Sequence, residues 1–452
     1  MTIWSVLVQW WSLSAVAALI GAVVLDLAVL PQSTPEVAAV RRRLGRWIIA
    51  WAVMVLLASG AALIVRATTM AGGRLDLAMR ALPTVLARTH FGTIWIARLG
   101  SVVAFLLVWH LSFRLARFIG LLLVLGISLT TSLTGHSSDW GSVTFSVFAD
   151  WVHVTSSAIW VGGLFALAAV VMRAAPVWPR EIAGTVARHF SRLAGACLLL
   201  VVLTGVYNAW IQLPFVSALW TTSYGKALVA KIVVVIAVIW IGALNRFLVV
   251  PGFNDRPSHG LGYRIFRLAR YVSGRQGKVE AATLPRRFVS YVTREAILGM
   301  VVFASTAVLT DSTPARHTAH FTHSGLAKRG PYRVTMAELH KSGGIPPGWI
   351  FRPPEGDPDR GREVFVKLEC FACHTVQGES FPPPSRPGPD LTGMGGHHPA
   401  GYLAESVINP NAVIVEGPGY TGPDGSSTMP DYRNTLTLAE LDDLVAYLKS
   451  LD

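Results

Sequence analysis

The residues best suited to chemistry stand together near the C-terminal end of the chain, as Cys370-Phe371-Ala372-Cys373-His374. This is the C-x-x-C-H spacing, in which two thiols form thioethers with one porphyrin and the adjacent imidazole lies under the iron. A tetrahedral zinc site would need two more ligands at comparable spacing, and the sequence after residue 310 contains no other cysteine. We therefore predict one covalently bound haem c, attached through Cys370 and Cys373, with His374 as an axial iron ligand.

The second axial ligand is expected to be a thioether or another imidazole. Four residues after the motif qualify: Met394, His397, His398 and Met429. Met429 is the predicted ligand because it precedes Pro430 in a turn ahead of a terminal helix. The other three remain alternatives, and otherwise are expected to be loop residues near the haem.

Two helices are predicted to hold this site. The first runs from Pro358 to Glu369 and carries apolar residues on one face, and the second begins at Thr437 with a capping box that Glu440 completes. The order of helix, motif, long Gly/Pro-rich loop, Met-Pro and helix resembles the class I cytochromes c across residues 357–452. The segment GPDLTG at 388–393 strengthens that resemblance, which implies that the carbonyl of Pro389 accepts a hydrogen bond from His374 and fixes its tautomer.

The rest of the chain has the composition of a membrane protein. Of its 452 residues 52% are hydrophobic and 14% are charged, whereas soluble domains carry about a quarter charged residues. We expect the first stretch to remain as a span, because no basic residue precedes Arg41 as a cleavable signal would require. The predicted fold class is all-α, a polytopic helix bundle with a C-terminal class I cytochrome c domain. Eight apolar stretches are long enough to span a bilayer: 4–31, 47–67, 91–113, 118–134, 145–172, 190–212, 226–246 and 291–310.

The net charge changes sign between the apolar part of the chain and the C-terminal part. Residues 1–310 carry a net charge of +18 and residues 311–452 a net charge of −5, and 17 of the 26 prolines lie in the second part. We predict a membrane domain over 1–310, a linker over 311–356 and a cytochrome domain over 357–452. Since the positive charge lies mainly in the loops between spans, it indicates membrane orientation rather than binding of nucleic acid.

The orientation follows from the distribution of arginine and lysine. The connections after spans one, three, five and seven are basic, and those after spans four and six contain no basic residue. The connection after span two, with Arg74, Arg80 and Arg88, is the exception. We predict a bacterial inner-membrane protein with both termini and the cytochrome domain on the periplasmic side, where haem c is attached.

Ionisable residues inside spans are candidate functional residues because they are costly to bury in lipid. Asp150 and His153 stand three residues apart on one helix face, with Arg98 and Lys231 also toward the outer half. A structural network that holds the helices together is the alternative. The segment DWVHVTSSAIWVGGLFAL, with RHFSRLAGACLLLVVLTGVYNAW, SYGKALVAKIVVV and GALNRF, resembles the copper-resistance protein D family over about 145–250. The resemblance implies copper handling and makes His153 a candidate copper ligand.

The linker contains a second candidate metal site. His317, His320 and His323 recur at intervals of three, and imidazole suits copper, zinc or iron. A solvated linker or a subunit contact is the alternative. A b-type haem inside the membrane is not favoured, since no spacing of the intramembrane histidines requires it.

These observations predict a membrane-anchored cytochrome that transfers electrons on the outer face, as a subunit of a respiratory or oxidoreductase complex rather than as a catalyst on its own. Its partners would be the lipid bilayer and a redox protein or the other subunits of that complex. The first alternative is a copper transport or copper-delivery protein with a redox cytochrome domain. The second is a non-redox membrane anchor and docking platform for the cytochrome.

Overall fold

The structure is a computed structural model, and it describes fourteen parts of the chain. These are residues 3–31, 34–111, 113–138, 142–171, 178–213, 216–253, 263–264, 267, 271, 284–311, 332–336, 355–422, 425–433 and 435–451. The histidines of the linker, His317, His320 and His323, lie outside the described residues.

Helices dominate both parts of the chain, which confirms the predicted fold class. Eight helices in the described residues are long and apolar enough to span a membrane, as the sequence predicts. They are span one Ile3–Val29, span two Pro35–Met70, span three His90–Trp109, span four Arg114–Leu133, span five Phe145–Val171, span six Arg180–Gln212, span seven Tyr224–Phe247 and span eight Arg286–Thr310.

Spans two and six are longer than their apolar stretches, which are 47–67 and 190–212. Both helices begin about ten residues earlier, at Pro35 and Arg180. A helix satisfies its own backbone hydrogen bonds, so it continues beyond the apolar stretch wherever the flanking residues have adequate helix propensity. Hydropathy therefore located the spans but not the ends of these two helices.

Contact clustering divides the chain into two compact units. The first comprises Met1–Gly60, Arg98–Ser132 and Phe148–Thr313, and the second comprises Ala61–Ala97, Leu133–Val147 and Pro314–Asp452. In the first unit, span one is buried along most of its length among the other spans.

Span one crosses span five at glycines. A Cβ on Gly21 would meet the backbone of Gly162 and Gly163, and a Cβ on Gly162 would meet the carbonyl of Ala17. Small residues allow such close approach of transmembrane helices. Both spans are locally widened to π-helix near this crossing, at Leu25–Val29 in span one and at Ala158–Gly162 in span five.

The second unit contains the C-terminal domain, the adjoining ends of spans two, three and five, and a further helix, α1, at Leu75–Arg88. In its described residues the domain has four α-helices and a short parallel sheet, in which Tyr332 pairs with Val413 and Thr335 with Glu416. Its elements are β1 Tyr332–Thr335, α2 Pro358–Lys367, α3 Met394–His397, α4 Ala400–Ile408, β2 Val413–Glu416 and α5 Leu438–Ser450. The sequence predicted α2 and α5 but not the sheet, because four residues of linker and four of loop carry no distinctive strand pattern.

Helices α2 and α5 cross at closest approach over Gly361. A Cβ there would collide with the carbonyl oxygen of Asp443 and lie 2.7 Å from Cβ of Tyr447. The capping box predicted at Thr437 is confirmed, since its hydroxyl accepts from the amide of Glu440 and its own amide donates to the Glu440 carboxylate. These two helices form the frame on which the C-x-x-C-H segment is held.

Candidate functional site

The haem-attachment segment, Cys370–His374, follows α2 after a sharp reversal of the chain. Glu369 makes that reversal with φ of +57°, the only positive φ of a non-glycine residue among the described residues. A short 3-10 turn then spans Cys370–Ala372, and the amide of His374 donates to the carbonyl of Cys370 at 3.0 Å. The turn therefore sets the backbone positions from which the two cysteine side chains and the imidazole extend.

The loop after this segment wraps closely around it. Nδ1 of His374 lies 2.8 Å from the carbonyl oxygen of Pro389, the contact that the family resemblance implied. A Cβ on Gly388 would collide with the carbonyl of Cys373, so the loop can approach this closely only with glycine there. Because the carbonyl accepts the Nδ1 proton, Nε2 keeps its lone pair and is available to an iron atom.

Burial shapes the chemistry of the same three side chains. It lowers the pKa of His374, against the opposing effect of the Pro389 carbonyl, and it raises the pKa of the Cys370 thiol to about 12. The pKa of Cys373 is also raised by burial. Uncharged groups are therefore favoured here, and a neutral imidazole with two uncharged thioethers satisfies that condition.

Met429 lies partly buried in the hydrophobic cluster that also contains Cys370, Phe371 and Leu391. The alternative ligands Met394 and His397 bound α3, and His398 follows it. Helix α3 is tied to the end of α5, where the amide of Gly395 donates to the carbonyl of Leu451 at 2.9 Å. This arrangement favours Met429 as the second axial ligand, which stays a prediction.

The walls around the segment are aromatic. The rings of Phe365 and Phe371 both stack on the ring of Phe381, at centroid distances of 5.4 and 5.7 Å. Tyr432 is buried in the same cluster. Apolar walls, two thiols, an oriented imidazole and a thioether are the groups that a covalently bound haem requires. The residues present therefore fit haem c.

A second group of polar side chains lies within the membrane spans, and we call it the intramembrane cluster: Asp150, His153, Thr204, Asn208 and Lys231. Span six contacts span five twice, through His153 Nδ1 to the Thr204 hydroxyl at 3.1 Å and through the Asn208 amide to Oδ1 of Asp150 at 2.9 Å. Gly205 leaves room for the imidazole, because a Cβ there would lie 3.2 Å from Cε1 of His153.

Span seven adds Lys231, which interacts electrostatically with both Asp150 and His153. An ammonium group beside the imidazole repels a metal cation. No group of three or more His, Cys, Asp or Glu side chains within the described parts of the chain is arranged to hold a metal ion. His153 alone is therefore an incomplete copper site in this structure and remains a candidate ligand.

Several residues of these sites were not singled out from the sequence. Thr204 and Asn208 stand four apart on span six, which is the spacing of one helix face and a usable signal. Gly388 was read only as part of the GPDLTG segment, although its lack of a side chain is what brings Pro389 to His374.

Comparison with known families assigns both parts of the chain. The family model described as copper resistance protein D-like, N-terminal domain matches residues 1–143, and the model for copper resistance protein D matches residues 184–309. The model for cytochrome c matches residues 358–452. The segment containing Asp150 and His153 lies between the first two matches. The chain thus joins copper resistance protein D-like domains to a cytochrome c domain.

Curated relatives agree with the membrane part. Copper resistance protein D of Pseudomonas syringae pv. tomato is 29% identical over 236 residues, covering 49% of this chain and 74% of that protein. Copper transport protein CutJ of Bacillus subtilis (strain 168) is 27% identical over 170 residues, covering 36% of this chain and 31% of that protein. No solved structure matches the chain.

Proposed function

We propose that this chain, in which copper resistance protein D-like spans are joined to a cytochrome c domain, is a copper-handling membrane protein whose haem c exchanges electrons with copper at the outer membrane face. The observation that carries the proposal is the joining of the two parts: both family matches to the membrane region name copper resistance, and the C-terminal domain has a complete haem-attachment segment. Respiratory electron transfer alone would leave the copper matches without a role.

In this proposal the cytochrome domain carries out the electron transfer. When bound, haem c with two axial ligands is a one-electron carrier without a free coordination position. The carbonyl of Pro389 orients His374, and the burial of Met429 against the same cluster as Cys370 supports it as the second axial ligand. Reduction of Cu(II) to Cu(I) would consume one electron from ferrous haem and leave ferric haem, which a membrane or periplasmic oxidoreductase would reduce again.

In this proposal the membrane domain handles copper. The named relatives are a copper resistance protein and a copper transport protein, and similarity to them covers about half and about a third of this chain. The candidate copper ligands are His153 in span five and the three linker histidines His317, His320 and His323. The basic connections after odd-numbered spans support a periplasmic position for the cytochrome and the linker.

The test is a metal inventory of the full chain, purified from membranes after growth with copper. We expect copper to co-purify in addition to one covalent haem, and copper accumulation by intact cells to fall when the three linker histidines are changed together to Ala. Glu363→Ala, on the exposed face of α2 in the cytochrome domain, is the control substitution. If the purified chain contains haem c but no copper, and accumulation does not differ from cells without the protein, the copper proposal is wrong.

The second candidate function is that of an electron-transfer subunit in a respiratory or oxidoreductase complex. The favouring observation is that the chain offers an oriented imidazole, His374, and a candidate thioether ligand, Met429, which together would leave no open iron position and so suit outer-sphere transfer between proteins. Stable co-purification of other redox subunits, with haem reduction independent of copper, would select this function. Absence of both copper and subunits would leave the anchoring role alone.

A further inference from the structure

Helix α1, Leu75–Arg88, lies in the connection between spans two and three, which the sequence presents only as a loop. Its residues differ in burial from one face of the helix to the other. Ala78 and Val85, seven positions apart and hence two turns apart, are fully buried, while Met79 and Arg80 are exposed. Helix α1 thus has one apolar face, and that face is covered.

The buried face belongs to a hydrophobic cluster that joins α1 to the cytochrome domain within the same compact unit. Ala78 and Val85 lie in this cluster with Ala67 and Met70 of span two, and with Cys370, Phe371 and Met429 of the cytochrome domain. The thioether attachment point and the predicted second axial ligand therefore share a cluster with the buried face of α1.

Two polar contacts join this part of the chain to the cytochrome domain. Arg88 at the end of α1 pairs with Glu369, directly before Cys370, with an N–O distance of 2.5 Å. The amide of Asp431, two residues after Met429, donates at 3.3 Å to the carbonyl of Met70, the last residue of span two. The last carbonyls of a helix have no donor within the helix, so this contact satisfies both groups.

Helix α1 lies between these two anchors in sequence. A 14-residue helix is about 20 Å long, which is comparable to the breadth of a porphyrin with its flanking side chains. Glu369 directly precedes Cys370, whose thioether would join the haem at its edge, so the ion pair brings the end of α1 next to the segment that would hold that edge.

We propose that α1 covers the haem edge of the cytochrome domain, and that a soluble redox protein can exchange an electron with the haem only when α1 moves away. An amphipathic helix of the same chain then occupies the surface on which a redox protein would bind. The Arg88–Glu369 pair is exposed by about two-fifths on each side, so it is a contact that can open. The proposal requires bound haem but does not depend on the copper function.

The experiment uses the full chain in detergent and a reduced soluble blue copper protein as electron donor, whose Cu(I) becomes Cu(II) as ferric haem becomes ferrous. Variants are Arg88→Glu, Glu369→Arg, the double exchange, and Arg80→Glu as a control on the exposed face of α1. We expect each single reversal to raise the second-order rate about fivefold, the order of effect of an exposed ion pair. The double exchange should return the rate toward wild type, and Arg80→Glu should leave it nearly unchanged.

The two reversals change the net charge in opposite directions, so electrostatic steering cannot raise the rate in both. Hydrogen exchange of the α1 amides gives a readout independent of electron transfer, and we expect faster exchange in both single reversals. Val85→Asp disrupts the burial of α1 without altering the haem-attachment segment. It is the second variant in case Glu369→Arg impairs haem attachment. Rates that move in opposite directions, that do not change, or that rise while α1 stays protected would overturn the proposal.

Discussion

The side-chain amide of Asn208 donates a hydrogen bond of 2.9 Å to Oδ1 of Asp150 and so joins span six to span five inside the membrane. The same carboxylate interacts electrostatically with Lys231 of span seven. Three consecutive spans therefore meet at one carboxylate, which explains how two charged residues are accommodated in the membrane.

The first prediction concerns this carboxylate. Asp150→Leu leaves the Lys231 ammonium without its counter-charge, and should lower the free energy of unfolding by about 3 kcal/mol. Asn208→Leu removes one hydrogen bond and should cost only about 0.6 kcal/mol. Unfolding of the purified protein in mixed detergent micelles measures both. The double variant Asp150→Leu with Lys231→Leu should recover much of the loss; an additive result would mean that the two charges are not coupled.

The second prediction concerns the axial ligand. Met429→Ala should lower the reduction potential of the haem by on the order of 0.1 V, because thioether ligation raises the potential within the ~0.8 V range that axial ligands cover. Met394→Ala is the matched control and should leave the potential unchanged. Redox titration followed by absorbance measures both variants. A shift in the Met394 variant and none in the Met429 variant would move the ligand to α3.

The third prediction concerns the close approach of Pro389 to His374. Gly388→Ala places a methyl group against the carbonyl of Cys373 and pushes the loop outward, which lengthens the contact between Nδ1 and the Pro389 carbonyl. A weaker hydrogen bond makes the imidazole less electron-donating, so ferrous haem is favoured and the potential should rise. Ser380→Ala, at an exposed position of the same loop, serves as the comparison. A potential that falls or stays constant in the Gly388 variant contradicts the argument.

The fourth prediction concerns the helix crossing at Gly361. Gly361→Ala introduces a collision with the carbonyl of Asp443, and should cost about 2 kcal/mol of stability as overpacked interiors do. The exposed neighbour Glu363→Ala should be close to neutral. Urea titration of the full chain, followed through the haem absorbance, distinguishes the two. Equal stability of both variants would show that α2 and α5 can separate at no cost.

The fifth prediction concerns pH. Burial, followed by the neighbouring charge of Asp443, raises the pKa of Asp442 from 3.8 to about 7. A carboxyl whose pKa is higher in the folded state stabilises the fold at low pH, and this stabilisation is lost as the pH rises from about 4 to about 7. Asp442→Asn should therefore be more stable than wild type at pH 8, by about 1 kcal/mol after allowance for solvent screening.

The comparison between pH 4 and pH 8 supplies the check on Asp442. The advantage of the Asn variant should be small at pH 4 and full at pH 8. An advantage that is the same at both pH values would mean that folding does not raise the pKa of Asp442.

The parts of the fold that are local in sequence were predictable. The C-x-x-C-H segment, the capping box at Thr437 and the apolar spans are each defined by residues within a few turns of one another. The contacts of Asp150 with Asn208 were not predictable, because they depend on the rotation of two helices about their axes. The same holds for Gly361, whose importance appears only when α5 is placed across it.

Helix α1 was missed for a different reason. Its three basic residues, Arg74, Arg80 and Arg88, were weighed only as loop charges, and they were the exception to the alternation of basic and non-basic connections. In the structure Arg74 pairs with Asp76 and Arg88 pairs with Glu369. Two of the three arginines thus form ion pairs with carboxylates, one of them within the connection and one on the cytochrome domain.

The crossing of span one over span five has a consequence for biogenesis. Gly21 and Gly162 are in backbone contact although about 140 residues of chain, including three other spans, are made between them. Span one is therefore synthesised well before the helix that it contacts, and this crossing can form only after spans two, three and four have been made. Closure of the bundle at Gly21 is thus a late step, although Gly21 is among the first residues of the chain to be made.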